Sequence, residues 1–285
     1  MDILFCFDEK YEQHFGVAVT SLLLNHLHES LTIHILTNIT SSEFPKKIHQ
    51  LKNKFKKSEF VVYEVDNQQV ANLKGSFHLS LAACYRLLVD SYLPKHLNKV
   101  LYLDSDLVVN ASLVELYNYD ISDYVVAAYC GEGKAIDTKK RIGMNGDYYF
   151  NSGVMLINLE TWRNLNVGEK CIEFIRDYPE IAILLDQDAL NKVIDGRCLQ
   201  IDKKWNSLVN LYSGTSQANE ESLVIHFIGS LKPWHSWCIR KEKNIYWSYL
   251  KKSPWSNSAP ELPDNFKQAL AAIKSIFIQM KNSSK

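Results

Sequence analysis

Leu101-Tyr102-Leu103-Asp104-Ser105-Asp106-Leu107-Val108-Val109 decides how the rest of the chain is read. An apolar run of buried-strand length stops at two carboxylates and then resumes. In an extended chain, side chains two apart point the same way, so Asp104 and Asp106 are expected to present their oxygens to one side. Two hard oxygen ligands at the carboxyl end of an interior strand suit a Mg2+ or Mn2+ ion bound to a diphosphate. A strand that leaves the core and finishes in hydrated acids would carry the same residues. The flanking sequence has to choose.

Upstream, residues 3–7 read as a short apolar strand that stops at Asp8-Glu9-Lys10. Residues 16–28 read as a helix with Val17, Leu22, Leu23 and Leu27 toward a core. A strand at 31–36, a lysine-rich amphipathic helix at 42–55 and a strand at 60–65 follow. Strand alternating with helix predicts an α/β fold, with a parallel sheet covered on both faces. Right-handed crossovers put the strands' carboxyl ends on one edge, where such folds bind ligands. Asp8, Asp104 and Asp106 all fall on that edge. Between Phe7 and the first helix the only glycine is Gly16, so a dinucleotide Gly-x-Gly-x-x-Gly fingerprint is excluded. Asp8 is read either as a base or ribose ligand or as a turn acid. Residues 79–93 read as a buried helix carrying Arg86, a cation that must find an anion or the surface.

Downstream, residues 112–117 predict a short helix and 124–129 a strand. Residues 130–147, glycine-spotted and bearing Lys139-Lys140-Arg141, read as a mobile loop over a ligand or a plain surface excursion. At 148–159 an apolar strand is interrupted by Asn151, Ser152 and Gly153; the glycine allows close backbone approach and the asparagine offers a donor and an acceptor. Residues 162–178 read as one helix. Asp186-Gln187-Asp188 open another, and helix capping accounts for the acids but not for Gln187. In the strand at 223–229, His226 leads to Gly229 and Lys232, a turn plus a cation suited to an anion. No cysteine or third histidine stands near His226 and His235 at zinc spacing.

The 285 residues, 46% hydrophobic, make one large domain or a domain with an appendage. Lys+Arg and Asp+Glu both number 32, so no basic field points to nucleic acid. The six cysteines are at least 27 residues apart, which excludes Cys-x-x-Cys chemistry and reads as reduced cytosolic thiols. An acid at position 2 and no apolar run near ~20 residues predict a cytoplasmic protein, at most peripheral on a membrane. From 231 to 285 ten Lys+Arg face three acids, an excess of seven in a neutral chain. There Phe266, Ala269, Leu270, Ile273, Phe277 and Met280 share helical spacing, while Lys267, Lys274 and Lys281 recur every seventh residue. That pattern is equally that of a helix on an anionic membrane and of a docked helix with its lysines in water.

Taken together, these stretches resemble the retaining family 8 glycosyltransferases, most of all the bacterial lipooligosaccharide α-galactosyltransferases. The likeness is carried by residues 1–8, Tyr85-Arg86-Leu87, 99–106, Ile142-Gly143-Met144, 148–154, Asp186-Gln187-Asp188, and His226 through Lys232-Pro233-Trp234-His235. It implies a single Rossmann-like nucleotide-sugar domain of GT-A type with a mixed sheet over 1–240. Beyond Cys238 only a basic character is shared, and 241–285 is read from its own pattern as a basic helical tail in contact with membrane or acceptor. It implies Mn2+, with Mg2+ as substitute, held by Asp104, Asp106 and His226. A UDP-hexose, galactose before glucose, would lie against Cys6, Asp8, Tyr11, Arg86, Ser105, Asn151, Ser152, Gly229 and Lys232. Asn151, Asp186 and Gln187 would surround the transferred sugar. The implied acceptor is a saccharide, a glycolipid before a protein. Retaining glycosidases use a carboxylate nucleophile; the matching position here is Gln187, a poor one, so same-face attack is expected, with Asp186 as the covalent alternative. The rival class is a haloacid-dehalogenase-type phosphotransferase using Asp104, which lacks its late acidic pair here.

Overall fold

The computed structural model describes residues 1–71, 73, 81–131 and 135–283. Eleven strands and ten α-helices are found among them. In chain order they are β1 (Asp2–Phe7), α1 (Glu12–Leu24), β2 (Leu31–Thr37), α2 (Glu43–Lys54), β3 (Ser58–Glu64), α3 (Val89–Tyr92), β4 (Lys99–Leu103) and β5 (Leu107–Val109). Next come α4 (Val114–Tyr117), β6 (Val126–Cys130), α5 (Ala135–Ile142), β7 (Phe150–Asn158), α6 (Leu159–Asn164), α7 (Val167–Asp177) and α8 (Asp186–Ile194). The chain closes with β8 (Cys198–Gln200), β9 (Ser207–Asn210), β10 (Thr215–Ser216), β11 (Val224–Phe227), α9 (Lys243–Leu250) and α10 (Phe266–Ser283).

The main sheet runs β3-β2-β1-β4-β7-β6-β8. The first four strands are parallel, but β7 is antiparallel to both β4 and β6. The fold is therefore α/β with a mixed central sheet. Alternation along β1 feeds both layers: Ile3, Phe5 and Phe7 enter the core on one face, Leu4 and Cys6 that on the other. Burial on both faces is why these residues form an uninterrupted apolar run.

The run at 101–109 is not one strand. β4 ends at Leu103, Asp104 to Asp106 turn, and β5 enters a second sheet of order β10-β9-β11-β5. The expectation of an extended Asp-Ser-Asp is thus corrected. The two carboxylates still converge, because the chain changes sheets between them. β5 pairs antiparallel with β11, His226 standing opposite Leu107, and Phe227 N donates to Asp106 O at 3.0 Å. That register delivers His226 to the aspartates.

Other boundaries also moved. α1 starts earlier than expected and stops at Leu24. Asn25 caps it, its side-chain amide donating to Ser21 O and Val109 O, which leaves Leu27 57% exposed instead of in the core. The helix expected at 79–93 is a 3-10 helix over Leu81–Leu88 followed by α3, with 79 and 80 outside the described residues. A three-residue repeat stacks Ala82, Tyr85 and Leu88 in one buried row. The helix expected at 162–178 divides into α6 and α7 at Asn166, whose φ of 51° is left-handed. The stretch read as a mobile loop contains α5; residues 132–134 lie outside the described part. Core packing continues beyond residue 240, with Tyr246, Leu250 and Trp255 buried against α1 and its neighbours. All six cysteines are free, five of them buried.

α10 docks on its less apolar side. Ala272, Ser275 and Gln279 are buried, and the Gln279 amide accepts from Ile239 N at 2.9 Å and donates to Trp237 O at 3.1 Å. Phe266, Leu270, Ile273, Phe277 and Met280 are left more than half exposed. No helix among the described residues is long and apolar enough to cross a membrane.

Candidate active site

A cavity of about 620 Å3 opens at the carboxyl edge of β1 and β4. Of the residues expected from sequence, Cys6, Asp8, Tyr11, Arg86, Asp104, Ser105, Asp106, Ser152, Asp186 and Gln187 line it. Phe7, Lys10, Ala82, Ala83 and Leu184 complete the lining. The volume is of the order that holds a drug-sized ligand. Asp8 caps the turn at Glu9–Tyr11, accepting from Lys10 N at 3.1 Å, as the turn-acid reading expects, and it also lines the cavity.

At the cavity edge, one ligand atom each from Asp104, Asp106 and His226 lies within 4.8 Å of the others. His226 Nε2 is 3.1 Å from Asp106 Oδ1 and 3.7 Å from Asp104 Oδ2. An octahedral ion with bonds near 2.1 Å needs neighbouring ligands about 3.0 Å apart. The His226–Asp106 pair already has that spacing, and the donor set fits a divalent cation once the other ligand atoms, within 4.8 Å, draw in to it. Two carboxylates and an imidazole also match the hard character of Mg2+ and Mn2+. Burial alone would raise the Asp106 carboxyl. Lys232 and His226 outweigh it and hold this group well below the usual carboxylate range. Lys232 Nζ donates to Asp106 Oδ2 and Phe227 O, both at 2.6 Å.

Arg86 finds its anions inside the protein. It is 5% exposed and lies over the Tyr102 ring at 4.3 Å. Its guanidinium donates to Asp104 Oδ1 at 2.8 Å and Ser152 O at 2.8 Å, and its Nε pairs with Asp186 Oδ2 at 3.2 Å. Burial pushes the Asp186 carboxyl up to about 6; Arg86 pulls the other way and Asp104 adds to the rise. The acid at 186 therefore faces the site, not the end of its own helix. Tyr102, two residues before Asp104, donates to Asp104 Oδ1 at 2.5 Å.

Gly153 keeps this cluster compact. A Cβ there would meet His226 Cε1 at 2.2 Å and Asp104 Oδ2 at 2.7 Å. The close backbone approach expected of this glycine is an approach to two of the candidate ligands.

Gln187 is held by three groups. Its Oε1 accepts from Asn151 Nδ2 and Ser152 N, each at 3.1 Å, and its Nε2 donates to Tyr149 Oη at 3.1 Å. Tyr149 donates in turn to Asp188 Oδ1 at 2.7 Å. Asp188, fully buried, also accepts from Leu184 N and takes both terminal nitrogens of Arg141. That bidentate pair ties α5 to α8. Asn151 stands behind Gln187 and outside the cavity lining, and Gly229, at φ 83°, turns toward Asn210. Sequence reasoning missed Tyr102, Tyr149 and Asn206, whose side-chain oxygen lies 2.9 Å from His226 Nδ1. A buried tyrosine hydroxyl needs a partner, and the two-residue spacing to Asp104 was a usable signal for Tyr102; Asn206 gave none.

The family model for Glycosyl transferase family 8 matches residues 2–238. A lipopolysaccharide 1,3-galactosyltransferase of Salmonella typhimurium is 30% identical, over 93% of this chain and 82% of its own. General stress protein A of Bacillus subtilis is also 30% identical, over 90% of this chain and 95% of its own. Among solved structures, the galactosyltransferase LgtC in complex with donor and acceptor sugar analogues superposes with a TM-score of 0.78 at 27% identity. It covers 92% of this chain and 98% of that one. A phosphotransferase reading of Asp104 falls away with these matches. The chain belongs to glycosyl transferase family 8, a family of retaining nucleotide-sugar hexosyltransferases.

Proposed function

We propose that the protein transfers a hexose, galactose in preference to glucose, from a UDP-sugar to a saccharide acceptor, with retention and with Mn2+ as its working ion. The observation that carries this reading is the convergence of Asp104, Asp106 and His226 at the edge of a cavity that Asp186 and Gln187 also line. Galactose is favoured because a galactosyltransferase stands among both the sequence relatives and the structural matches. A bound divalent ion would neutralise charge on the departing diphosphate. Asp104, Asp106 and His226 would hold it.

The chain's own residues do the rest. Asp8, just past β1, and Tyr11, in the turn it caps, meet the nucleoside. Lys232 exchanges its hydrogen bond with Asp106 for one with the diphosphate, and Gly229 gives the turn its shape. The leaving group departs as a stabilised anion, so no acid has to protonate it. Gln187 meets the developing positive charge through its carbonyl dipole. Two donors already on Oε1 weaken it further as a nucleophile, which supports attack by the acceptor from the face the leaving group vacates. Asp186 is buried with Arg86 and Ser152, so its charge is balanced without entering the reaction; covalent participation would require it to leave that pair.

Residues 1–240 carry the donor site, and 241–285 supply contact with the acceptor's surroundings. The acceptor is a glycolipid at the inner face of the cytoplasmic membrane. The relative named for lipopolysaccharide supports this, as does the outward stripe of α10 with Lys267, Lys274 and Lys281 beside it. Release of UDP from UDP-galactose and UDP-glucose, with and without Mn2+, tests the core of the reading. Mn2+-dependent turnover faster with galactose is expected. Faster turnover of glucose replaces the donor, and no turnover together with no Mn2+-dependent UDP binding refutes the reaction class.

A further inference from the structure

We propose that Asn206 is a positioning residue that links His226 to the sugar-side amides Asn151 and Gln187. It rests on the reading of His226 as a metal ligand. Asn206 is fully buried between the turn at Lys203–Trp205 and the start of β9. Its Nδ2 lies 2.8 Å from Asn151 Oδ1 and its Oδ1 lies 2.9 Å from His226 Nδ1.

The direction of each bond follows from the backbone of β7. A main-chain N–H can only donate. Gly153 N donates to Asn151 Oδ1 at 3.1 Å, which fixes that atom as the acceptor of the Asn151 amide. Ser152 N donates to Gln187 Oε1 at 3.1 Å, which fixes the Gln187 amide likewise. Asn206 must then offer its NH2 to Asn151 and its carbonyl to His226. So Nδ1 of His226 carries a hydrogen, and Nε2 is the nitrogen turned to Asp106 and Asp104. One buried amide thus transmits the polarity of two backbone N–H groups to the imidazole. The same amide ties the ring to the side chains on the sugar side. Outer partners of this kind orient a ligating histidine and are worth 10–100-fold in metal affinity when removed.

Two substitutions separate the two ends. Asn206→Asp keeps an acceptor for His226 Nδ1 but sets oxygen against Asn151 Oδ1. Asn206→Ala removes both bonds. Mn2+ affinity, followed by water-proton relaxation on the full chain, is expected to stay within about threefold of wild type in Asn206→Asp and to weaken by about 10–100-fold in Asn206→Ala. In Asn206→Asp, UDP-sugar hydrolysis should lose about tenfold or more in kcat with little change in KM, the signature of an interaction that matters in the transition state. Long-range 15N spectra of the metal-free protein should place the His226 hydrogen on Nδ1 in wild type and lose that signature in Asn206→Ala. Equal loss of Mn2+ affinity in both variants, unchanged affinity in Asn206→Ala, or a bare Nδ1 in wild type would overturn the proposal. A wild-type protein that binds no Mn2+ refutes the metal reading instead, and the histidine spectrum then judges the polarity of the link by itself.

Discussion

Gly153→Ala offers the sharpest separation of the metal reading from a merely folded acidic cluster. The added methyl would sit 2.2 Å from His226 Cε1, 2.8 Å from His226 Nδ1 and 2.7 Å from Asp104 Oδ2. His226 would have to retreat by about 0.8 Å to reach 3.0 Å, below which real Cβ contacts essentially do not occur. Ligand distances in a working metal site hold to about 0.2 Å, so the imidazole and Asp104 cannot both keep their places. β7 is a central strand and Gly153 has no positive φ, so its own backbone conformation suits alanine. The stability cost is then that of overpacking, about 1–3 kcal/mol. A folded variant is expected, with Mn2+ affinity reduced by about 100-fold or more. Circular dichroism melts report the fold, and Mn2+ titration by electron paramagnetic resonance reports the free ion. A variant that melts within a few degrees of wild type and binds Mn2+ with wild-type affinity would refute the assignment of Asp104 and His226 to one ion.

Two further outcomes follow from the burial of Asp186 and the exposed lysines of α10. Burial pushes the Asp186 carboxyl up to about 6, from about 4 for an ordinary aspartate, so the folded state holds this proton through the window from about pH 4 to 6. Unfolding releases it there, stability falls as pH rises, and the cost is complete above 6, at most about 3 kcal/mol. In urea melts of the metal-free protein, Asp186→Asn should remove that fall between pH 4 and 7; parallel pH profiles for variant and wild type would contradict it. On α10, the triple change of Lys267, Lys274 and Lys281 to Glu should cut binding to vesicles containing anionic lipid by about 100-fold, since each basic side chain near such a surface contributes about 1 kcal/mol. UDP-sugar hydrolysis in solution should be unaffected, and undiminished vesicle binding would dismiss the membrane contact.

What could be read from sequence was whatever local pattern determines. β1, β2 and α2 were legible because each carries one period: continuous apolar residues where both faces are buried, and Phe44, Ile48 and Leu51 at helical spacing among lysines. The switch from one sheet to another at Asp104–Asp106 was not. It depends on β5 finding β11 more than a hundred residues later, and an apolar run has the same appearance whichever sheet receives it. α10 shows the same limit from the other side. Its stripe was visible, but the face that docks is Ala272, Ser275 and Gln279, chosen because one amide reaches Ile239 N and Trp237 O.

The site divides along a similar line. Asp104 and Asp106 could be singled out as candidate ligands by residue type and spacing, whereas His226 as their companion and Gln187 beside the sugar were implied only by the family resemblance. The atoms that orient them could not, because hydrogen-bond polarity belongs to the folded backbone. Asparagine offers a donor and an acceptor and has no preferred end; only Gly153 N and Ser152 N, fixed as donors by the main chain, decide which way Asn151, Gln187 and Asn206 face. A strand whose Cβ atom is missing at 153 therefore does two things at once. It makes room for the imidazole, and it supplies one of the two backbone donors that fix the network's direction. Removing the space and reversing an amide should consequently fail differently, Gly153→Ala first in metal affinity and Asn206→Asp first in kcat. Were both to fail in the same measurement, the separation of ligand geometry from amide polarity drawn from this site would be wrong.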